Sequence, residues 1–169
     1  MTGDLKLIPN NLAISTTLFL SEKEKLEKVL SNFTIQVEHV GSTALPGTIG
    51  KGILDVLLIC ESVDEQGHIK DVLVANGYIQ GELNKVPDGR LFFVNHPGKT
   101  EAGDLHLHLV VKGSNNLQSL IFRDYLLDHP DELKKYNQEK QKLAQLTHNS
   151  RYDYAVNKAT FIEDLMRRI

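Results

Sequence analysis

Residues 33–60 read FTIQVEHVGSTALPGTIGKGILDVLLIC and contain two predicted strands joined by a glycine-rich loop. Residues 33–40 alternate in polarity and are rich in β-branched side chains, which predicts a strand. Residues 53–60 form an almost unbroken apolar run, the pattern of a strand covered on both faces. The segment between them, 41–52, holds four glycines and Pro46, which predicts a loop whose backbone can approach a ligand closely.

Helical spacing of apolar residues predicts a helix before this stretch, at 11–31, and another after it, at 62–77. Ser21 and Glu24 match a capping box, so the alternative is that a fresh helix begins at Ser21. The predicted strands 91–95 and 104–112 are separated by the turn residues 96–99 and indicate a hairpin.

The C-terminal third is predicted to be helical throughout: about 116–128, 130–146 and 151–168. Ser150 is the predicted N-cap of the last helix, together with Asp153. Lys134, Lys135, Lys140 and Lys142 lie among glutamates and are interpreted as a solvated helix face. Tyr136, Tyr152 and Tyr154 are interpreted as packing residues. The class is therefore α+β, with a mixed sheet, packed helices and a helical C-terminal third.

Composition favours one domain, residues 1–169, with 41% apolar and 24% charged residues. A net charge of −3 argues against a nucleic-acid-binding protein. Cys60 is the single cysteine and lies in an apolar run, where a free thiol acts as a small hydrophobe.

Residues 1–10 lack a signal-peptide pattern and no segment approaches ~20 apolar residues, so we expect no membrane partner and a cytoplasmic location. The sequence leaves the oligomeric state open.

Gly41 and Ser42 end the first strand, where exposed amides and a hydroxyl can hold phosphate oxygens. Asp55 lies 13 positions after Ser42 in an otherwise apolar strand. Burial of a carboxylate there costs free energy unless the carboxylate is paired or binds a metal. The alternative for Asp55 is a buried carboxylate that holds a loop through backbone amides. Gly41, Ser42 and Asp55 are the centre of the predicted site.

Several motifs beyond this centre carry a resemblance to the GrpB family, within the nucleotidyltransferase superfamily. They are EHVGSTALPG at 38–47, the step from Lys51 to Asp55, LHLHLV at 105–110, LIFRDYLLDHP at 120–130 and the KATFI of 158–162. The resemblance implies a polymerase-β-like fold, Asp55 and Ser42 as catalytic residues, a phosphorylated small molecule such as a nucleotide as ligand, and a divalent cation, Mg, Mn or Zn. The superfamily's second carboxylate falls at position 57, which here is Leu57, so a two-metal site of the usual kind loses a ligand.

The predicted strand 104–110 contains two histidines, His106 and His108, separated by one residue. His106 and His108 therefore project from one face and, with Asp55 or His39, predict a metal site. The alternative is that both rings make local polar contacts on a half-exposed face of the sheet.

Four cations are candidate ligands of the phosphate: Lys51, Arg90, Arg123 and Lys158. Each has a plainer interpretation. Lys51 and Arg90 fit solvated loop residues, Arg123 fits an internal ion pair, and Lys158 fits a surface position on the last helix.

Three functions follow from these features. The first is a nucleotidyltransferase-type transferase, and the second is a non-catalytic domain that keeps the ligand pocket. GrpB-like domains also occur fused to dephospho-coenzyme A kinase, so the resemblance implies a link between the second function and the coenzyme A pathway. The third is a metal-dependent hydrolase built on His106, His108 and Asp55.

Overall fold

The chain is built around a mixed β-sheet, seen in a computed structural model that describes residues 5–81, 89–95, 105–148 and 150–168. The strands are β1 Ile8–Pro9, β2 Ile35–Val40, β3 Ile49–Gly50, β4 Leu54–Cys60, β5 Ile79–Gln80, β6 Leu91–Val94 and β7 Leu105–Val111. Five of them form the main sheet in the order β2-β4-β7-β6-β5, and β1 pairs with β3 as a separate antiparallel ribbon. β4 and β7 run parallel, whereas the other neighbours in the main sheet are antiparallel.

Five helices are described, and they pack on both faces of the sheet. They are α1 Leu12–Val29, α2 Val63–Ala75, α3 Gln118–Asp128, α4 Pro130–Leu146 and α5 Arg151–Met166. Short 3-10 turns occupy Ser42–Ala44 and Asn115–Leu117. The α+β prediction and the helical C-terminal third are confirmed.

The sheet's first face carries the larger core, which α1 and α2 cover. Leu26 of α1 and Leu73 of α2 pack with alternate residues of the central strands, such as Val56 and Leu107. On the other face Val40, Leu57, Ile59 and Val110 meet Leu117 and Leu120 at the start of α3. Both faces of β4 are thus covered, as its apolar run predicts.

Most predicted boundaries agree with the observed elements. α1 runs through Ser21 without a break, so the alternative start there is wrong. Ser150 caps α5 by accepting a hydrogen bond from the Asp153 amide at 3.3 Å. The predicted hairpin is confirmed by the antiparallel pairing of β6 with β7, while its turn at 96–99 and Asp104 lie outside the described residues. The sequence does not predict β1, β3 or β5, because two residues are too few to show a period, and β3 lies within the predicted loop 41–52.

Cys60 is buried, as its apolar surroundings predict, and burial raises the pKa of its thiol. Within the described ranges, no helix combines the length and the apolar character that a membrane crossing requires.

Candidate active site

The turn after β2 forms the floor of the site. Gly41 adopts φ 73° and ψ −168°, a conformation open almost solely to glycine, and the chain then enters the 3-10 turn. The buried Thr48 hydroxyl donates to the carbonyls of Ser42 and Leu45 at 2.5 and 3.0 Å. Asn10 also donates to the Leu45 carbonyl, at 3.0 Å. Side chains from two directions therefore fix the backbone that carries Ser42.

Two glycines allow this turn to lie against its neighbours. A Cβ at Gly41 would lie 2.2 Å from Oδ2 of Asp55, and a Cβ at Gly50 would lie 2.3 Å from Oγ of Ser42. Neither position accepts a side chain without displacing one of the two predicted catalytic residues. The predicted Gly41, Ser42 and Asp55 are thus brought together by close backbone approach.

Asp55 and His106 lie side by side because their strands pair in register. Nδ1 of His106 is 3.4 Å from Oδ1 of Asp55, and the two side chains are 32% and 27% exposed. Burial opposes ionisation of Asp55, but His106, His108 and Lys158 favour the carboxylate and lower its pKa. Asp55 is therefore an anion at neutral pH.

The C-terminal helices cover the space above Asp55 and leave a pocket that opens to solvent. Its sheet side presents Ser42, Asp55 and His106. Its helix side presents Tyr136, Lys140, Tyr154 and Lys158. Lys51, Gly50 and Ile53 complete the lining. Asn137 ties α4 to the loop, because its amide donates to the Gly47 carbonyl at 2.9 Å and accepts from the Ile49 amide at 3.2 Å.

Two of the four predicted cations, Lys51 and Lys158, line this pocket. Nζ of Lys51 lies 5.5 Å from the centre of the Tyr154 ring. Lys158 lies near enough to Asp55 to lower its pKa. Both lysines therefore place positive charge around Asp55, the one carboxylate among the lining residues that the structure describes.

Lys140 was wrongly assigned to a solvated helix face. It is 2% exposed, and its Nζ donates to the Ile49 carbonyl and lies 4.3 Å from the centre of the Tyr136 ring. Tyr136 and Tyr154 are buried and line the pocket, whereas Tyr152 is exposed. Burial lowers the pKa of Lys140 to about 7, helped by the charge of Lys158, and raises the pKa of Tyr154 to about 12.

The sequence did carry a signal for Lys140. Leu133, Tyr136 and Leu143 are buried in α4, and Lys140 falls in the same stripe at a spacing of four and then three. The charged neighbours of Lys140 hid this periodicity.

Arg123 does not line the pocket, contrary to the expectation that it reaches the cleft. Its Nη1 donates to Glu38 at 2.7 Å and to the His39 carbonyl at 2.8 Å, and its Nη2 lies 2.7 Å from Asp124. Those partners raise the pKa of Arg123 against the opposing effect of burial. The side chain joins α3 to β2, which is the internal ion pair that its sequence context also allowed.

His39 lies on the opposite face of the sheet from Asp55. Asp55 pairs with Val40, and His39 pairs with Val56, whose side chain belongs to the core under α1 and α2. The His39 ring stacks on Phe19, 4.8 Å between centres, and its Nε2 is 3.0 Å from the Thr43 hydroxyl. Burial lowers its pKa to about 4. This placement corrects the prediction that His39 joins the histidine pair at a metal.

His108 and Arg90 lie farther along the face that carries His106, and neither lines the pocket. The rings of His106 and His108 are 6.5 Å apart between centres, with Phe92 against both. Burial lowers the pKa of His108 to about 4 and also lowers that of Arg90. Within the described residues, Nδ1 of His108 and Nε of Arg90 are buried without a hydrogen-bond partner.

The predicted metal centre is not assembled from the residues that the structure describes. No three side chains of the His, Cys, Asp and Glu types are grouped there so as to hold an ion. Asp55 and His106 face each other, His39 is on the other face, and position 57 is a buried leucine. These residues do not fit a site in which the protein alone supplies the ligands.

Comparison with known proteins supports a single assignment. Residues 15–168 match the family model described as GrpB protein. A UPF0157 protein of Halalkalibacterium halodurans is 33% identical over 98% of this chain and 86% of that relative. The crystal structure of conserved protein GrpB from Enterococcus faecalis aligns over 96% of both chains with a TM-score of 0.80 and 27% identity.

A more distant structural likeness is to a poly(U) polymerase. The Cid1 poly(U) polymerase aligns over 73% of this chain and 38% of its own, with a TM-score of 0.45 and 10% identity. At that level the likeness carries no argument about activity. The family match covers nearly the whole chain, and therefore the chain belongs to the GrpB family.

Proposed function

We propose that this protein binds a phosphorylated small molecule of the nucleotide class in the pocket above the Gly41–Ser42 turn. One observation carries the proposal: Lys51, Lys140 and Lys158 converge on a pocket in which Asp55 is the single carboxylate among the described lining residues. The ammonium groups of Lys51 and Lys158 alone outnumber that carboxylate, so the excess charge of the described lining is positive. A partly enclosed site of that kind favours an anion.

Phosphate suits this site better than an apolar ligand does. Lysine amines and the Ser42 hydroxyl are donors for phosphate oxygens, and the glycine-rich turn lets backbone come close to them. Tyr136 and Tyr154 supply flat apolar surface beside the amines. Together they offer contacts for the two halves of a nucleotide, its phosphate and its base.

A divalent cation enters the proposal with the ligand. Mg²⁺ is commonly held by one or two protein carboxylates together with phosphate oxygens, so Asp55 alone suffices for the protein's share. Mg²⁺ and Mn²⁺ are therefore included in the test, and Zn²⁺ is added because His106 lies beside Asp55.

Leu57 favours binding without transfer over a working transferase. It is buried between β2 and α3 at the position where the superfamily's second carboxylate is expected. Asp55→Asn separates the two functions. A transferase loses turnover in this variant, whereas a binding domain changes only its affinity.

The binding test uses isothermal titration calorimetry with AMP, ATP and dephospho-coenzyme A, with and without each cation. Adenosine is the matched ligand without phosphate. Lys158→Met should weaken AMP binding roughly ten- to a hundred-fold, because a hydrogen bond to a charged group contributes about 1.5–3 kcal/mol. Lys142→Met is the matched control, since Lys142 lies on the exposed side of α4 and pairs with Glu139 at 3.6 Å.

Two results contradict the proposal. One is that none of the phosphorylated compounds binds under any cation condition. The other is that adenosine binds as tightly as AMP, which would place the affinity in the base and leave the lysines without a role.

A further inference from the structure

Lys140 is a buried amine that points into a polar pocket. It is 2% exposed and lines the pocket together with Ser42, Asp55 and Lys158. Its Nζ contacts the Ile49 carbonyl and the face of the Tyr136 ring. Within the described residues no carboxylate pairs with it, and a buried ammonium without a counter-ion is strongly disfavoured.

We propose that Lys140 makes anion binding proton-linked: it takes up a proton when a phosphate monoester dianion enters the pocket. This inference rests on the proposed function, because the ligand is the one argued above. The uptake follows from the geometry, since the dianion supplies the counter-ion that the free pocket lacks at Lys140.

Other charged and titratable groups around Lys140 do not replace that counter-ion. The groups that share its pocket are Asp55 on β4, His106 on β7, Lys51 before β4, Tyr136 on α4, and Tyr154 and Lys158 on α5. Lys158 disfavours a second positive charge at Lys140, and the Asp55 carboxylate lies against His106. The burial of Lys140 and the charge of Lys158 lower its pKa to about 7 in the free protein.

The sign of the linkage sets the pH dependence of affinity. A dianion beside Lys140 favours the ammonium and raises its pKa in the complex. Affinity is then complete below the free value of about 7 and falls as pH rises above it, by up to tenfold per pH unit. A phosphate monoester becomes a dianion above a second pKa of about 6, so its affinity is greatest between about pH 6 and 7.

The linkage also predicts selectivity for the charge of the ligand. A phosphate diester carries one negative charge at all these pH values and stabilises the ammonium less than a dianion does. We therefore expect 5′-AMP to bind more tightly than cyclic 3′,5′-AMP. The pH dependence of the diester should also be shallower.

Calorimetry of the wild-type protein with AMP at pH 8 tests the proposal, in two buffers that differ in ionisation enthalpy. The dependence of the observed heat on the buffer gives the number of protons taken up, and we expect a value close to one. Lys140→Met should lose this uptake and make affinity independent of pH above 7. Lys142→Met should keep both properties of the wild type, because that side chain is 65% exposed.

The outcomes separate this inference from the proposed function. If AMP does not bind at any pH, the proposed function fails. If AMP binds at pH 8 without proton uptake, or if Lys140→Met retains the uptake, the assignment to Lys140 fails alone. Should the methionine variant not fold, NMR of lysine side-chain Cε resonances in the wild type decides the matter. A resonance that titrates near pH 7 must move to higher pH with AMP, and its failure to move overturns the proposal.

Discussion

Gly41→Ala should distort the site directly, because the new Cβ occupies the space of a predicted catalytic carboxylate. The built Cβ lies 2.2 Å from Oδ2 of Asp55 and ordinary contact begins at 3.4 Å, so the carboxylate must move by about 1.2 Å. A non-glycine residue at the φ of 73° and ψ of −168° costs about 1–3 kcal/mol. Overpacking against Asp55 adds about 1–3 kcal/mol.

Gly113→Ala provides a control for the backbone part of this loss. Gly113 has a φ of 75°, close to that of Gly41, but nothing lies within 4 Å of its built Cβ. The free energy of unfolding, measured in urea by far-ultraviolet circular dichroism, should therefore fall about 1–3 kcal/mol further in Gly41→Ala than in Gly113→Ala. AMP binding should weaken in Gly41→Ala alone. Equal losses of stability, or wild-type AMP affinity in Gly41→Ala, would refute the reasoning.

Two further predictions concern residues outside the pocket. Arg123→Met should lower the free energy of unfolding by about 2–3 kcal/mol, because it leaves the largely buried Glu38 without its guanidinium partner. The affinity for AMP should not change. A loss of AMP affinity in a folded variant would show that Arg123 belongs to the site. His108 should destabilise the fold as pH falls from about 6.5 to about 4, because burial lowers its pKa to about 4 and the unfolded chain then binds the extra proton. His39, whose pKa is also lowered to about 4, adds a loss of its own in both proteins, so between pH 7 and pH 5 urea unfolding should show a loss that is smaller by up to about 2 kcal/mol in His108→Phe than in the wild type. Equal losses in the two proteins would contradict the assignment.

The order of elements was predictable because it rests on local signals. The apolar run of β4, the alternation in β2 and the helical spacing of the C-terminal third each act over a few residues. Gly41, Ser42 and Asp55 could be placed together for the same reason, since they lie at two strand ends joined by a short loop. Sequence-local chemistry therefore located the floor of the pocket.

Two other features of the site could not be predicted from local sequence: which side chains share a face of the sheet, and which helix residues cover the pocket. Whether His39 or Val40 shares a face with Asp55 depends on the register of β2 against β4, and a shift of one residue reverses the answer. Lys140 belongs to the site because α4 docks over the Gly47–Gly50 loop through Asn137. That contact joins residues 90 positions apart in the chain.

Leu57 and Lys140 both bear on the proposed binding of an anion. Leu57 packs on Val40 beneath α3, so the strand position next to Asp55 on the same face contributes to the core and not to a cation. Lys140 and Lys158 instead bring amines from α4 and α5 to the other side of the pocket. A phosphate held by two metal ions needs several carboxylates, whereas a phosphate held by amines needs few. Amines on the helices opposite Asp55 therefore support the proposal that the pocket holds an anion, and proton uptake at Lys140 is the measurement that ties this charge balance to one atom.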